Sequence, residues 1–192
     1  MTYPHLSVLI HKQAEKYGNR VALRFRDYET EQWIPVSWNQ FSEIVKTAAC
    51  AMLELGVNVQ ENIGVFSQNK PECLYIDFAA FATRAVSIPL YATSSEAQAQ
   101  YIVNDASIRY LFVGEQFQYD VAYRILSLCP TLQKLIIFDS SVKLNPEDTT
   151  SIFFEEFLKM GTNKERMSEV EERTAGVDEN DLANILYTCT QA

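Results

Sequence analysis

Between residues 63 and 138 the sequence alternates short apolar runs with segments of helical spacing. The apolar runs span four to six residues, at 63–67, 86–91, 110–113 and 135–138. Runs of this length without polar alternation are typical of parallel strands that are buried on both faces. The helical segments between them lie at 71–82, 95–105 and 118–128. Single helices between such strands predict an α/β fold of three layers, in which a mostly parallel sheet carries helices on both faces.

The part of the chain before this alternation predicts a helix, a hairpin and a second helix. A helical pattern at 3–17 ends at a glycine, and a longer one follows at 39–55. Between them lie two strand-like runs, 21–26 and 32–38, separated by the polar residues 27–31. We therefore expect an antiparallel β-hairpin with a longer loop ahead of the parallel sheet.

The part after the alternation is strongly acidic and less regular. Residues 146–181 hold eleven acids and four bases, a net charge of −7. We interpret 139–181 as an acidic region of loop and helix, with a short amphipathic helix at 152–160 and a charged helix at 164–173. A solvated segment is the simplest interpretation of such a run. Residues 182–188 are again apolar and strand-like.

Charge and cysteine spacing exclude several classes of protein. The chain has 25 acidic and 16 basic residues and a net charge of −9, which argues against nucleic-acid binding through a basic surface. No two of the four cysteines form a CxxC pair, so no zinc site is predicted. Cys50, Cys73 and Cys129 are interpreted as small core residues. The N-terminal residues lack the pattern of a signal peptide, so a cytoplasmic protein is expected.

Few residues suggest chemistry without further knowledge. His5 and His11 lie six positions apart on different faces of the first helix and are interpreted as surface residues. No metal site and no catalytic residue is predicted. The polar stretch 67–69 follows a strand and precedes a helix, where ligands often bind in doubly wound sheets, although a plain polar turn has the same pattern. Residues 89–95 indicate a capped turn, in which Tyr91 could equally be a buried aromatic residue.

Several blocks together then resemble the adenylate-forming superfamily, and most closely its long-chain fatty acyl-CoA synthetases. They are PVSW at 35–38, NIGVFSQNKPE at 62–72, VSIPLYATS at 86–94, QYIVNDA at 100–106, LFV at 111–113 and DLANILYT at 181–188. The blocks occur in the family's order over nearly the whole chain. Cys73 stands where tryptophan is usual, and two larger departures matter more: Arg84 stands where glycine is common, and Cys189–Ala192 replace the Ser-Gly-Thr-Thr-Gly of the phosphate loop.

The resemblance implies a fatty acid–CoA ligase that uses ATP, Mg²⁺ and coenzyme A to make acyl-CoA, AMP and pyrophosphate. It implies that residues 1–192 form a single N-terminal subdomain of the AMP-binding domain, with 182–188 as the strand leading to the phosphate loop. Thr188 is the one residue that matches a phosphate-loop position. We therefore expect a truncated chain that is inactive alone and binds none of these molecules tightly.

Two alternatives to a ligase fragment stay open at this level. The chain could be a stand-alone nucleotide- or acyl-binding α/β module without catalysis, or a structural domain that needs the remaining part as its partner. An enzyme that takes fatty acids would contact a membrane peripherally, yet the sequence has no basic amphipathic helix for that contact. The oligomeric state has no signal in the sequence.

Overall fold

The computed structural model describes residues 5–27 and 30–188. The elements in chain order are α1 (Leu6–Tyr17), β1 (Val21–Arg26), β2 (Trp33–Ser37), α2 (Trp38–Glu54), β3 (Asn62–Phe66), α3 (Pro71–Thr83), β4 (Val86–Leu90), α4 (Glu96–Asp105), β5 (Tyr110–Val113), α5 (Gln116–Leu126), β6 (Lys134–Ile137), β7 (Ile152–Phe153), α6 (Phe154–Met160), a 3₁₀ turn (Lys164–Arg166) and α7 (Met167–Ala175).

Five of the strands form one parallel sheet in the order β4-β3-β5-β6-β7. Because successive side chains of a strand point to opposite faces, β3 contributes Ile63 and Val65 to one apolar core and Phe66 to the other. Helices α1, α2, α3, α6 and α7 cover the first face, and α4 and α5 cover the second. The predicted three-layer α/β fold is confirmed.

The centre of the sheet is tightly packed. A Cβ built on Gly64 of β3 would lie 2.6 Å from Leu111 Cδ1 of β5. A larger residue at position 64 would therefore force the adjacent strand's side chain to move. Glycine at this point lets a branched residue of the neighbouring strand fill the core above it.

The predicted hairpin is also confirmed. Strands β1 and β2 pair antiparallel, with an irregularity in register between Val21 and Leu23. Ser37 ends the hairpin and begins α2, because its hydroxyl accepts from Gln40 N while the Gln40 side chain accepts from Ser37 N. This reciprocal cap directs the chain from the hairpin onto the sheet.

Most acidic side chains of 139–181 are exposed, as expected for a solvated segment, but the region also packs against the sheet and helices. The helix predicted over 152–160 begins instead with β7, because Ile152 pairs with Ile136 and extends the sheet by one short strand. A two-residue strand is too short for sequence periodicity to reveal. The charged helix has little core face, as expected, and packs through Val170, which is only 3% exposed, while Arg173 Nη1 donates to Val57 O at 2.8 Å.

The strand predicted at 182–188 is wrong in its extent. A single parallel bridge joins Asn184 to Ser87 of β4, and the rest of the segment has no ladder. Leu182 and Leu186 are exposed on its outer side. Nothing among the described residues covers that side, so burial of apolar side chains does not stabilise a full strand here.

The interpretation of the histidines as surface residues is wrong for one of them. His5 is exposed, but His11 is half-buried, and its Nδ1 lies 2.7 Å from Ser42 Oγ. Burial lowers the pKa of His11, and Lys46 lowers it further. The ring therefore links α1 to α2 in its neutral form.

Of the cysteines interpreted as core residues, Cys50 and Cys129 are buried and Cys73 is half-buried. Cys189 and the three residues after it lie outside the described part of the chain. Across residues 5–27 and 30–188, no helix has the length and apolar character needed to cross a bilayer.

Candidate functional site

Polar residues collect where the central strands end. Residue 67 follows β3, residue 114 follows β5 and residue 138 follows β6, so these three turns lie side by side at the carboxyl edge of the sheet. This edge is where ligands bind in open α/β sheets. The cluster that forms here, called the edge cluster below, consists of Ser67, Gln68, Lys70, Glu115 and Asp139.

Two acids and one amine hold the edge cluster together. Gln68 Nε2 donates to Glu115 Oε2 at 2.8 Å, which ties the turn after β3 to the turn after β5. Lys70 Nζ lies 3.2 Å from Glu115 Oε1 and 3.7 Å from Asp139 Oδ2. The charge of Lys70 is thus shared between two carboxylates from the two neighbouring turns.

A glycine permits the close approach of two of these turns. A Cβ on Gly114 would lie 2.5 Å from Ser67 Oγ and 2.9 Å from Ser67 Cβ. Only a residue without a side chain fits there. The amide oxygen of Gln68 is buried in the same place and has no hydrogen-bond partner within residues 5–27 and 30–188.

The titratable groups around the edge cluster are perturbed in opposite directions. Burial opposes ionisation of Asp139, but hydrogen bonds from Ser141 and the charge of Lys70 outweigh it and hold the pKa of Asp139 below its usual range. Burial raises the pKa of Glu72, and Lys70 offsets that effect only in part. The edge cluster itself contains two carboxylates, Glu115 and Asp139, and one ammonium, Lys70.

The turn at 91–95 is a capped turn. Ser95 caps α4 in a reciprocal pair with Gln98, and Gln118 Nε2 donates to Ala92 O at 2.7 Å. Tyr91 is 57% exposed, so its interpretation as a buried aromatic residue is wrong. The turn leaves the core because β4 ends one residue earlier, at Leu90.

Thr188, the residue matched to the phosphate loop, is exposed beyond the outer edge of β4. Its neighbour Tyr187 donates from its hydroxyl to Asp105 Oδ2 at 2.6 Å and packs edge-on against the ring of Tyr101. These contacts attach the segment to α4. The described contacts do not join Thr188 to the edge cluster.

The described residues alone do not fit ATP and Mg²⁺. A phosphate cradle needs several donors that converge on one point, and Thr188 supplies one exposed hydroxyl. The ammonium of Lys70 is already paired with Glu115 and Asp139. In the described ranges, no three His, Cys, Asp or Glu side chains are grouped so that they could hold a metal ion.

The sequence interpretation found one part of this edge and missed another. It singled out 67–69 at a strand end, and the structure places Ser67 and Gln68 in the edge cluster. It did not single out Lys70, Glu115 or Asp139, which meet only across strands that are distant in sequence. The signal was available, because Glu115 follows one apolar run by two residues and Asp139 follows another directly.

Known proteins similar to this chain include several ligases. Human long-chain-fatty-acid–CoA ligase ACSBG1 is 24% identical over 163 residues, covering 82% of this chain and 22% of that protein. The Xenopus laevis ligase ACSBG2 is 22% identical and covers 94% of the chain and 24% of its own length. Mycobacterium tuberculosis FadD15 is 26% identical over 54% of the chain and 17% of its own length. The chain thus spans less than a quarter of the length of these relatives.

A solved structure has the same fold. The anthranilate CoA ligase AuaEII, crystallised with anthranoyl-AMP, superimposes with a TM-score of 0.69 at 18% identity, over 82% of this chain and 28% of that one. The family model described as AMP-binding enzyme matches residues 10–189, which is almost the whole chain. This protein chain therefore belongs to the AMP-binding enzyme family.

Proposed function

We propose that this chain is the N-terminal subdomain of the adenylate-forming domain of a long-chain fatty acid–CoA ligase. Such a ligase converts ATP, a fatty acid and coenzyme A into acyl-CoA, AMP and pyrophosphate. The observation that carries the proposal is the family match over residues 10–189, together with relatives that are long-chain fatty acid ligases. The share of those relatives that the chain spans, 22% and 24%, supports a role as one part of the catalytic unit.

The proposed role of this part is to provide scaffold. The sheet holds the edge cluster, and the segment 182–188 carries Thr188, whose hydroxyl we assign to a phosphate oxygen of ATP. One hydroxyl does not make a phosphate-binding site. Removing a single preorganised donor from a complete active site already lowers the rate by about 10²–10³. We therefore propose that the isolated chain does not catalyse adenylation.

Pyrophosphate release tests this proposal directly. The purified chain is incubated with ATP, Mg²⁺ and palmitate, with and without coenzyme A, beside an intact long-chain ligase as the positive control. We expect release at the rate of the protein-free blank. Palmitate-dependent release above that blank would contradict the proposed inactivity.

The ligase assignment itself is tested on the coding sequence and its product. An open frame that continues past codon 192 into a Gly-Thr-Thr-Gly sequence is expected, and its product should form AMP in the presence of palmitate and coenzyme A. A stop codon there would favour a different function.

The edge cluster favours one alternative, a nucleotide- or acyl-binding module without catalysis. The buried Gln68 oxygen has no hydrogen-bond partner among the described residues and lies at the carboxyl edge of the sheet, so a ligand donor would meet it only if the turn opened. Calorimetry with ATP and, separately, with oleoyl-CoA distinguishes the two functions. Saturable binding that is weakened by Gln68→Ala would support the module, and no heat from either titration would favour the ligase scaffold.

A further inference from the structure

Two residues in a strained backbone conformation lie next to each other where the C-terminal segment meets the sheet. Arg84, at the end of α3, has φ 59°, and Gln60, ahead of β3, has φ 57°. Residues other than glycine adopt this left-handed conformation at a cost. A backbone hydrogen bond joins the two residues, in which Gln60 N donates to Arg84 O at 2.6 Å.

Both side chains reach the same short stretch of the C-terminal segment. Arg84 Nε and Nη2 donate to Asp181 Oδ2 and Oδ1 at 2.8 and 3.0 Å, a two-point contact between groups that are only 23% and 15% exposed. Planar two-point pairs of this kind specify geometry as well as energy. Asp181 Oδ2 also accepts from Asp178 N, which folds the preceding turn around the pair.

Gln60 forms hydrogen bonds with the backbone of Leu182, the residue after Asp181, in the way that a neighbouring strand would. Leu182 N donates to Gln60 Oε1 at 2.8 Å, and Gln60 Nε2 donates to Leu182 O at 3.3 Å. The side-chain amide thus satisfies both backbone groups of one residue. The register is continued by Ser87, whose N donates to Ala183 O at 3.0 Å and whose O accepts from Ile185 N at 3.3 Å.

Apolar burial sets this register only in part. Leu182 and Leu186 are 55% and 72% exposed, and only the inner side chains, such as Ile185, pack on the core. A strand with a fully buried face specifies its register through its apolar pattern, and this segment buries Ile185 and Tyr187 only in part. The polar contacts of Gln60 and Arg84 supply what burial leaves unspecified.

We propose that Gln60 and Arg84 form a polar clamp that sets the register of residues 181–188 on the edge of β4. The assignment of the clamp as positioning residues for Thr188 rests on the proposed function. Glycine at position 84 would relax the backbone and release the segment. This chain has an arginine at position 84. Its backbone adopts the strained φ, and its side chain makes the contact with Asp181.

Hydrogen exchange on the full 192-residue chain, without nucleotide, tests the clamp. In Arg84→Gly the melting temperature should stay the same or rise, because glycine relieves the left-handed φ. The protection of the Ile185 amide should nevertheless fall by up to about fivefold, since a charge-assisted contact to the segment is lost. A residue with only a general structural role would lower the melting temperature and the protection together.

Two further variants complete the test. Ser107→Gly is the matched control, because Ser107 also has a positive φ, 51°, and the described contacts do not link its side chain to the segment. It should leave the protection of Ile185 unchanged. Asp181→Asn breaks the pair from the other side without changing a backbone conformation and should reproduce the loss seen in Arg84→Gly.

Unchanged Ile185 protection in both Arg84→Gly and Asp181→Asn would overturn the clamp. An equal loss in Ser107→Gly would also overturn it, because the effect would then come from relief of backbone strain. Both results are independent of pyrophosphate release and of any binding assay, so failure of the clamp and failure of the proposed ligase function are separately visible.

Discussion

The centre of the sheet and the segment 182–188 both bond in parallel to a neighbouring strand, but they are held by different forces. In the centre, Ile63, Leu111 and Phe112 are fully buried, and the ladder of β3 with β5 runs without interruption. The segment makes one bridge to β4 and exposes Leu182 and Leu186 on its outer side. Its remaining contacts are polar, apart from Ile185 and Tyr187, which pack in part on the core.

The free energies of these two kinds of contact differ. Burying one large apolar side chain contributes about 1.5–3 kcal/mol, and every strand of the centre buries several. A partly exposed ion pair contributes about 1 kcal/mol or less. The segment should therefore open locally at a much lower free energy than the sheet unfolds. A region that has to meet ligands or another domain is expected at this low-stability end.

The largest expected effect on stability comes from a substitution in the centre of the sheet. Phe112 is fully buried and packs edge-on against Phe157 at 5.3 Å between ring centroids. Phe112→Ala should lower the free energy of unfolding by about 3–5 kcal/mol, through lost burial and the cavity that remains. Denaturant titration measures this. The matched change at the segment, Leu186→Ala, should cost less than about 0.5 kcal/mol, and similar costs for the two would refute the comparison.

A smaller effect is expected at the edge cluster. Gly114→Ala places a methyl group 2.5 Å from Ser67 Oγ, so one turn has to move, at a cost of about 1–3 kcal/mol. The same denaturant titration measures the cost. The double variant Ser67→Gly with Gly114→Ala removes the atoms that clash and should recover part of the loss. No recovery would show that the strain comes from contacts other than those with Ser67, such as Gln68 Oε1 at 3.0 Å.

Ser87 of β4, to which the segment 182–188 bonds, also contacts a half-buried carboxyl group, so the stability there should depend on pH. Ser87 Oγ donates to Asp77 at 2.6 Å, and burial raises the pKa of Asp77 although this bond lowers it in part. A carboxyl group whose pKa is raised on folding binds its proton more tightly in the native state, so its contribution to stability grows as pH falls through the folded pKa. Asp77→Asn should therefore stabilise the chain at pH 7 by about 1 kcal/mol or less.

That gain should disappear in acid, where Asp77 is already protonated. Thermal unfolding of the two proteins between pH 7 and pH 4 measures it. A gain that stays constant over this range would mean that ionisation of Asp77 does not limit stability.

The smallest effect concerns the segment alone. The hydrogen bonds from Arg84 hold the pKa of Asp181 below its usual range. A lowered carboxyl pKa contributes stability above the unfolded pKa of about 3.9, and this is lost as pH falls through the lower folded pKa. The Arg84 Nε–H resonance should therefore show slow exchange at pH 6 and lose its protection only below about pH 4. Loss already at pH 5 would contradict the two-point pair.

The sequence predicted the buried centre of the sheet better than the elements at its margin. The apolar runs at β3, β4, β5 and β6 were each recognised to within about one residue, because a strand buried on both faces is apolar throughout. The two-residue β7 was missed, because its place in the sheet depends on its pairing with Ile136. In the edge cluster, Ser67 and Gln68 were found by their place after a strand, whereas Lys70 was not singled out.

The order of elements, the parallel sheet, the hairpin and the resemblance to a ligase family were all present in the local pattern of residues. Those properties depend on neighbours in the chain, which a linear sequence displays directly. The pairing of Lys70 with two carboxylates, the docking of the acidic region and the hold of Arg84 on Asp181 depend on residues that are far apart in sequence. Such contacts exist only after the strands are placed side by side, because proximity in space then decides which charges and amides meet.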